Sequence, residues 1–215
     1  MIVSHGRRYI FVHIPKTGGT ALALALEARA MADDLLIGDT PKAKRRRKRL
    51  DGLQTAGRLW KHATLSDGIG LYSETEATHY FTFTLVRNPW DRIVSYYHWL
   101  RAQSFAHPAV ALARRLDFSA FLNDPHTQAT LGRAPYGHYM RLPDGRECCD
   151  AFLRLEALDE DIAPLEAHLG FSLTPLPRVN ESERLRDWRG YYSEADADLV
   201  ARLCAEDIAR FNYSF

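Results

Sequence analysis

Residues 9–20 read Tyr-Ile-Phe-Val-His-Ile-Pro-Lys-Thr-Gly-Gly-Thr, and the reading of this stretch decides the fold class. Residues 9–14 are all β-branched or aromatic, and Pro15 and Gly18-Gly19 stop them, which is the pattern of a short strand buried on both faces. Residues 20–32 are rich in Ala and Leu, contain no Gly or Pro, and are apolar almost all the way round, which predicts a buried helix. A strand that passes through a glycine turn into a helix exposes unpaired amides at the helix start. Glycine lets a ligand approach those amides closely, so the natural guest is an anionic phosphate, and Lys16 adds a positive charge. The order differs from the Walker pattern, because the lysine precedes the glycine pair and no first glycine stands where that motif needs one.

A second unit of the same kind follows. Residues 80–86 predict a strand, and Asn88-Pro89 supplies a helix cap with proline in the first helical position. Trp90, Ile93, Val94, Tyr97 and Leu100 then form an apolar stripe at helical spacing. Arg87 stands at the strand end and Ser95 lies eight residues on, about two helical turns in. A guanidinium fork and a hydroxyl are suitable donors for a second phosphate. Taken singly, Gly18-Gly19 also reads as a plain turn beside a surface Lys16, and Arg87 as a partner of Asp91 with Ser95 a packed helix serine. The pair of motifs, two phosphate-binding readings together, is what decides between these readings.

Further along, a short helix capped by Asp117, a turn at Pro143-Asp144-Gly145, an apolar segment at 151–155, a helix at 159–169 ended by Gly170, and a helix at 194–211 capped by Ser193 are expected. Strand-turn-helix units in alternation predict an α/β domain of three layers, a central parallel sheet flanked by helices. At 215 residues, with 46% hydrophobic and 26% charged residues, the chain reads as one domain, 1–215, with one core. The apolar run near the N-terminus is too short for a signal segment or a membrane span, and three cysteines make no disulfide framework, so a cytoplasmic protein is expected.

The formal charge is +1, but seven Lys and Arg residues crowd positions 42–49; without them 21 basic residues face 27 acidic ones. An acidic remainder argues against nucleic acid as partner, although the run could attract an anionic substrate. Periodicity vanishes across 33–58, an unusual length for a structureless loop, which suggests a substrate-facing or lid role. Tyr96, Tyr97, Trp99 and Phe105 read either as core or as a wall for stacking sugars, and Cys148 and Cys149 as small buried residues of a strand.

Pro-Lys-Thr-Gly-Gly-Thr at 15–20, with Val-Arg-Asn-Pro-Trp-Asp-Arg-Ile-Val-Ser at 86–95, resembles the carbohydrate-type (family 2) sulfotransferases. Bacterial members are also similar at 152–156, 176–180, 191–193 and 207–213, so the resemblance covers most of the chain. It implies a P-loop-like sulfotransferase fold and 3′-phosphoadenosine 5′-phosphosulfate (PAPS) as donor. Lys16 would meet the bridging oxygen and the leaving 5′-phosphate, Thr17, Gly18, Gly19 and Thr20 the phosphosulfate, and Arg87 and Ser95 the 3′-phosphate. The acceptor would be a hydroxyl, or less favourably an amine, of a saccharide-like or small molecule. No metal is expected, since the transferred group carries less charge than a phosphoryl group. An acceptor must lose a proton, so a base is needed. His62, 25 residues before Arg87, is similar in placement to the catalytic histidine of the uronyl 2-O branch; His79, Glu74 and Glu76 are the other candidates, and His13 sits beneath the loop. The rival readings are a Mg²⁺-dependent nucleotide phosphotransferase, a non-catalytic nucleotide- or glycan-binding module, and a nucleic-acid binder acting through 42–49.

Overall fold

A computed structural model describes residues 1–177, 179, 184, 185 and 187–215. In chain order its elements are β1 (Ile2–Ser4), β2 (Tyr9–Val12), α1 (Gly19–Ala28), β3 (Leu35–Leu36), α2 (Pro41–Arg46), α3 (Glu74–His79), β4 (Phe81–Val86) and α4 (Pro89–Arg101). They continue with α5 (Pro108–Arg115), α6 (Phe118–Asn123), α7 (Pro125–Gly132), β5 (Ala151–Arg154), α8 (Leu158–Asp161), α9 (Ala163–Leu169), α10 (Glu194–Leu203) and α11 (Ala205–Phe211). The chain divides into two compact units, 1–86 with 136–179, and 87–135 with 180–215.

Among the described residues, the first unit holds one sheet in the order β3-β1-β2-β4-β5. The expected parallel sheet is present as β2-β4-β5, with Val12 beside Thr84 and Val86 beside Arg154. β1 and β3 add an antiparallel edge, so the sheet is mixed rather than purely parallel. Alternation along β2 explains why both faces are dry. Tyr9 and Phe11 join Phe83, Leu85 and Leu153 under α1 and α9. Ile10 and Val12 face the other way, against Leu65, Leu71, Tyr72, Met140 and Leu142. Phe11 and Phe83 stack at 5.4 Å across the β2–β4 pair, and both are fully buried.

Local signals account for the helix ends. Asn88 Oδ1 accepts from the Trp90 amide and Pro89 opens α4; Asp117 and Ser193 cap α6 and α10; Gly170 closes α9 in the left-handed conformation. Three expectations are corrected. The 159–169 helix divides at Ile162 into α8 and α9, because Pro164 has no amide to continue the ladder. The 194–211 helix divides at Cys204, where the backbone turns to φ −114°, ψ 23°. Cys148 and Cys149 are half-buried against the second core cluster in the segment before β5, not in a strand.

The segment 33–58 contains structure of its own. Thr40 caps α2, and its hydroxyl also donates to the buried Glu27 carboxylate at 2.7 Å. Lys42, Arg46 and Arg49 donate to the carbonyls of Glu27, Met31 and Ala32 at and just beyond the end of α1. Part of the basic run therefore serves the negative end of that helix.

In the second unit the stripe Trp90, Ile93, Val94, Tyr97 and Leu100 packs on α5, α6 and Val200 of α10. Trp90 Nε1 donates to the Ala197 carbonyl at 3.0 Å. Tyr97 belongs to this core, Tyr96 and Trp99 are packed against it, and Phe105 is exposed. Phe83→Ala is expected to remove about 3–5 kcal/mol of stability by leaving a cavity between β2, β4 and α1. Urea unfolding of the full chain measures it.

Candidate functional site

The loop between β2 and α1 brings Lys16, Thr17, Gly18, Gly19 and Thr20 together in a fixed path. Lys16 has φ +67° and Gly18 φ +90°, both in the left-handed region from which anion nests are built. Thr17 is fully buried, and its hydroxyl donates to the Ile14 carbonyl at 2.9 Å. A Cβ at Gly18 would lie 2.9 Å from Leu155 Cδ1, and one at Gly19 only 2.3 Å from His13 Cδ2. Only glycine fits at either position. The start of α1 carries no acid in its first turn and no side-chain cap, so its positive pole is left for another anion.

His13 lies directly beneath this turn. Its burial, more than the neighbouring N-terminus, His62, Lys61 and Lys16, holds the imidazole well below the usual histidine range. His62 Nδ1 is 2.7 Å from the His13 carbonyl oxygen. A carbonyl only accepts, so Nδ1 carries the hydrogen and Nε2 of the neutral ring is the basic nitrogen. Burial lowers the His62 pKa to about 4, with the His13 hydrogen bond acting in the opposite sense. The ring stands edge-on to His13 at 4.8 Å and to Trp60 at 5.0 Å.

Two of the other candidate bases, Glu76 and His79, are committed elsewhere, and Glu74 is exposed. Glu76 accepts from Ser73 in the capping box of α3 and from Tyr80 Oη, and these bonds hold its carboxyl below the ordinary range. His79 is exposed and donates from Nδ1 to the Thr75 carbonyl at 2.7 Å. Glu74 is exposed in the first turn of α3.

In the second unit, Arg87 does pair with Asp91: Nε and Nη2 donate to Oδ2 at 2.8 and 2.6 Å. Asp91 Oδ1 also accepts from Arg184 Nη1 at 2.6 Å. Asp91 thus joins two guanidiniums, with side chains only 12–17% exposed. The pair with Asp91 orients Arg87. Ser95 is buried on α4. Arg184 escaped sequence reasoning because nothing local marks it; the Asn180-Glu181-Ser182 segment before it lies outside the described residues, as does Arg178. Among the described residues no group of three His, Cys, Asp or Glu is arranged to hold a metal ion, and no helix is long and apolar enough to cross a membrane.

The family model described as "Sulfotransferase family" matches residues 1–214. Among solved structures, the crystal structure of mouse sulfotransferase SULT7A1 complexed with PAP has a similar fold. Its TM-score is 0.53 at 16% identity, over 95% of this chain and 84% of that one. No curated protein sequence matches.

Gly19→Ala is expected to cost about 1–3 kcal/mol through overpacking against His13, and the added variant His13→Ala should restore much of it; thermal unfolding of the single and double variants checks this. His62 has a folded pKa near 4 against an ordinary value of 6.5, so the folded state binds fewer protons than the unfolded chain between those pH values. Stability should therefore fall as pH drops from 6.5 towards 4, and His62→Gln should make that fall shallower in denaturant midpoints measured from pH 7.5 to 4.5.

Proposed function

The chain belongs to the sulfotransferase family, and from that premise we propose that it moves the sulfuryl group of PAPS to a hydroxyl, or less favourably an amine, of a saccharide-like or small-molecule acceptor, without a metal. The observation that carries this reading is the conjunction on one loop of Lys16, an uncapped and acid-free helix start, and a neutral imidazole bonded to the carbonyl three residues before Lys16.

The donor, when bound, supplies an activated sulfuryl group whose departure leaves negative charge on a phosphate oxygen. Lys16 and the amides of Thr17, Gly18, Gly19 and Thr20 meet that charge as it develops, where preorganised donors have most effect. Arg87 and Ser95 bind the 3′-phosphate. The carboxyl ends of β2 and β4 lie side by side, with Val12 opposite Thr84, and the chain leaves β4 directly into Arg87. Strand ends of this kind are where open α/β sheets take ligands. His62 Nε2 accepts the proton of the attacking hydroxyl. Phosphoryl transfer needs cations to hold a more highly charged group; for a sulfuryl group, positioning, one lysine and a helix pole suffice. We take residues 1–215 to act as one sulfotransferase domain in the cytoplasm, where the three cysteines would stay reduced.

Calorimetric titration with 3′-phosphoadenosine 5′-phosphate (PAP), run with EDTA and against ATP and AMP, tests the donor site. Micromolar binding is expected, lost by tenfold or more in Lys16→Ala and Arg87→Ala. Full activity in either variant, or a preference for ATP that needs magnesium, overturns the reading. His62→Ala should keep PAP affinity and lose about 10²–10⁴ in turnover. Because His62 is already neutral above pH about 4, the acid limb of kcat/KM in the wild type should fall near that value and not near 6.5.

A further inference from the structure

The start of α4 is held from far along the chain. Asn88 and Pro89 already cap and open this helix, so local chemistry is enough to begin it. Yet among the described residues Asn88, Trp90 and Asp91 also bond to four residues 93 to 126 positions away. Asn88 Nδ2 donates to the Ser214 carbonyl at 2.9 Å, Trp90 Nε1 to the Ala197 carbonyl at 3.0 Å, Tyr192 Oη to the Trp90 carbonyl at 2.7 Å, and Arg184 Nη1 to Asp91 Oδ1 at 2.6 Å. Such tethers add nothing to starting the helix; they fix where its start lies.

Phe215 joins these tethers. Asn212 ends α11 in the left-handed conformation at φ +52°, and the Tyr213 amide donates to the Ile208 carbonyl, which turns the chain out of the helix. Two residues later the Phe215 ring stands edge-on to Trp90, Trp188 and Tyr192 at 5.7, 5.4 and 5.6 Å. Edge-to-face contact is an arrangement that aromatic pairs favour. Trp90 is buried, whereas Phe215 itself remains 44% exposed. A ring that stays nearly half in water fills little core. Its three contacts instead fix two segments against each other, the start of α4 and the 188–192 turn.

Arg87 hangs from the backbone held in this way, directly before Asn88, with its Nε and Nη2 on Asp91. A guanidinium that must meet a phosphate at hydrogen-bond distance tolerates little displacement of its backbone, and affinity falls when that backbone has to be ordered on arrival. The Asn88 amide links the two ends of the arrangement: Oδ1 accepts from the Trp90 amide and caps the helix, while Nδ2 holds the residue next to Phe215.

We propose that Phe215 is a positioning residue for the donor's 3′-phosphate: with Ser214 it clamps Trp90 and Asn88 and so fixes the backbone from which Arg87 reaches that phosphate. This rests on the reading of Arg87 and Ser95 as the 3′-phosphate site. Phe215 acts through Arg87 and not by contact with the donor. A ring that merely sealed the third core cluster would weaken every nucleotide alike.

The test is calorimetric titration of the full chain with PAP and with AMP, which lacks the 3′-phosphate. The proteins are the wild type, Phe215→Ala, Phe215→Tyr, Asn88→Ser and Arg87→Ala, with Phe215→Ala and Asn88→Ser each made in the Arg87→Ala background as well. Phe215→Ala should weaken PAP about tenfold and leave AMP within about twofold, while Phe215→Tyr, which keeps the ring, should stay near the wild type. Asn88→Ser keeps a capping oxygen but is too short to bond Ser214, and should weaken PAP about threefold with AMP unchanged. In the Arg87→Ala background both losses should vanish, because the residues act in series. Urea unfolding shows which variants are folded; if Phe215→Ala is not, Asn88→Ser in the two backgrounds decides. Equal loss of PAP and AMP, unchanged PAP affinity in the folded variants, or a loss that adds in full to that of Arg87→Ala overturns the proposal. Absence of PAP binding by the wild type, or PAP affinity untouched by Arg87→Ala, would instead overturn the donor reading.

Discussion

The His13 ring fills the space a side chain at position 19 would need, and most of the first unit's chemistry depends on that contact. With 2.3 Å between the ring and a would-be Cβ, the first turn of α1 is held tight against the end of β2. The same residue offers its carbonyl to His62, so one position sets both the seat of the helix pole and the tautomer of the imidazole. Burial then keeps both rings uncharged, which leaves Lys16 as the cation of the loop rather than one of three. An anion meeting this loop finds a helix end, a lysine and two neutral rings.

Where a feature is written in consecutive residues, it could be read before the fold was seen. The apolar run and glycine pair of 9–20 define β2, the turn and α1; Asn88-Pro89 defines the start of α4; Asp117, Ser193 and Gly170 mark helix ends that the structure reproduces. The pairing of Arg87 with Asp91 was also legible, four residues apart on one helix. What stayed hidden depends on distant partners. β1 and β3 are three and two residues long, too short for any period to show, and exist through pairing with β2 and each other. Arg184 meets Asp91 across 93 residues of sequence. α5 and α7 did carry a signal, a capping residue followed by proline at His107-Pro108 and Asp124-Pro125, but each is only eight residues long, too short for a helical period to stand out.

The candidate site divides along the same line. The residues proposed to bind phosphate form local motifs, so they could be named in order. The state of His62 could not, since it depends on a carbonyl 49 residues away and on burial from Trp60 and His13. The basic run looked like a solvated loop because charge alone does not reveal which of its arms reach back to the end of α1.

The Thr40 hydroxyl ties two helices together through Glu27. One hydroxyl accepts from the Ala43 amide to start α2 and donates to a carboxylate buried in α1, so the basic helix takes its bearing from the helix that opens the phosphate loop. The outward charges are therefore a printed pattern and not a cloud. An anion meeting that face would find its charges borne on a backbone already ordered by α1.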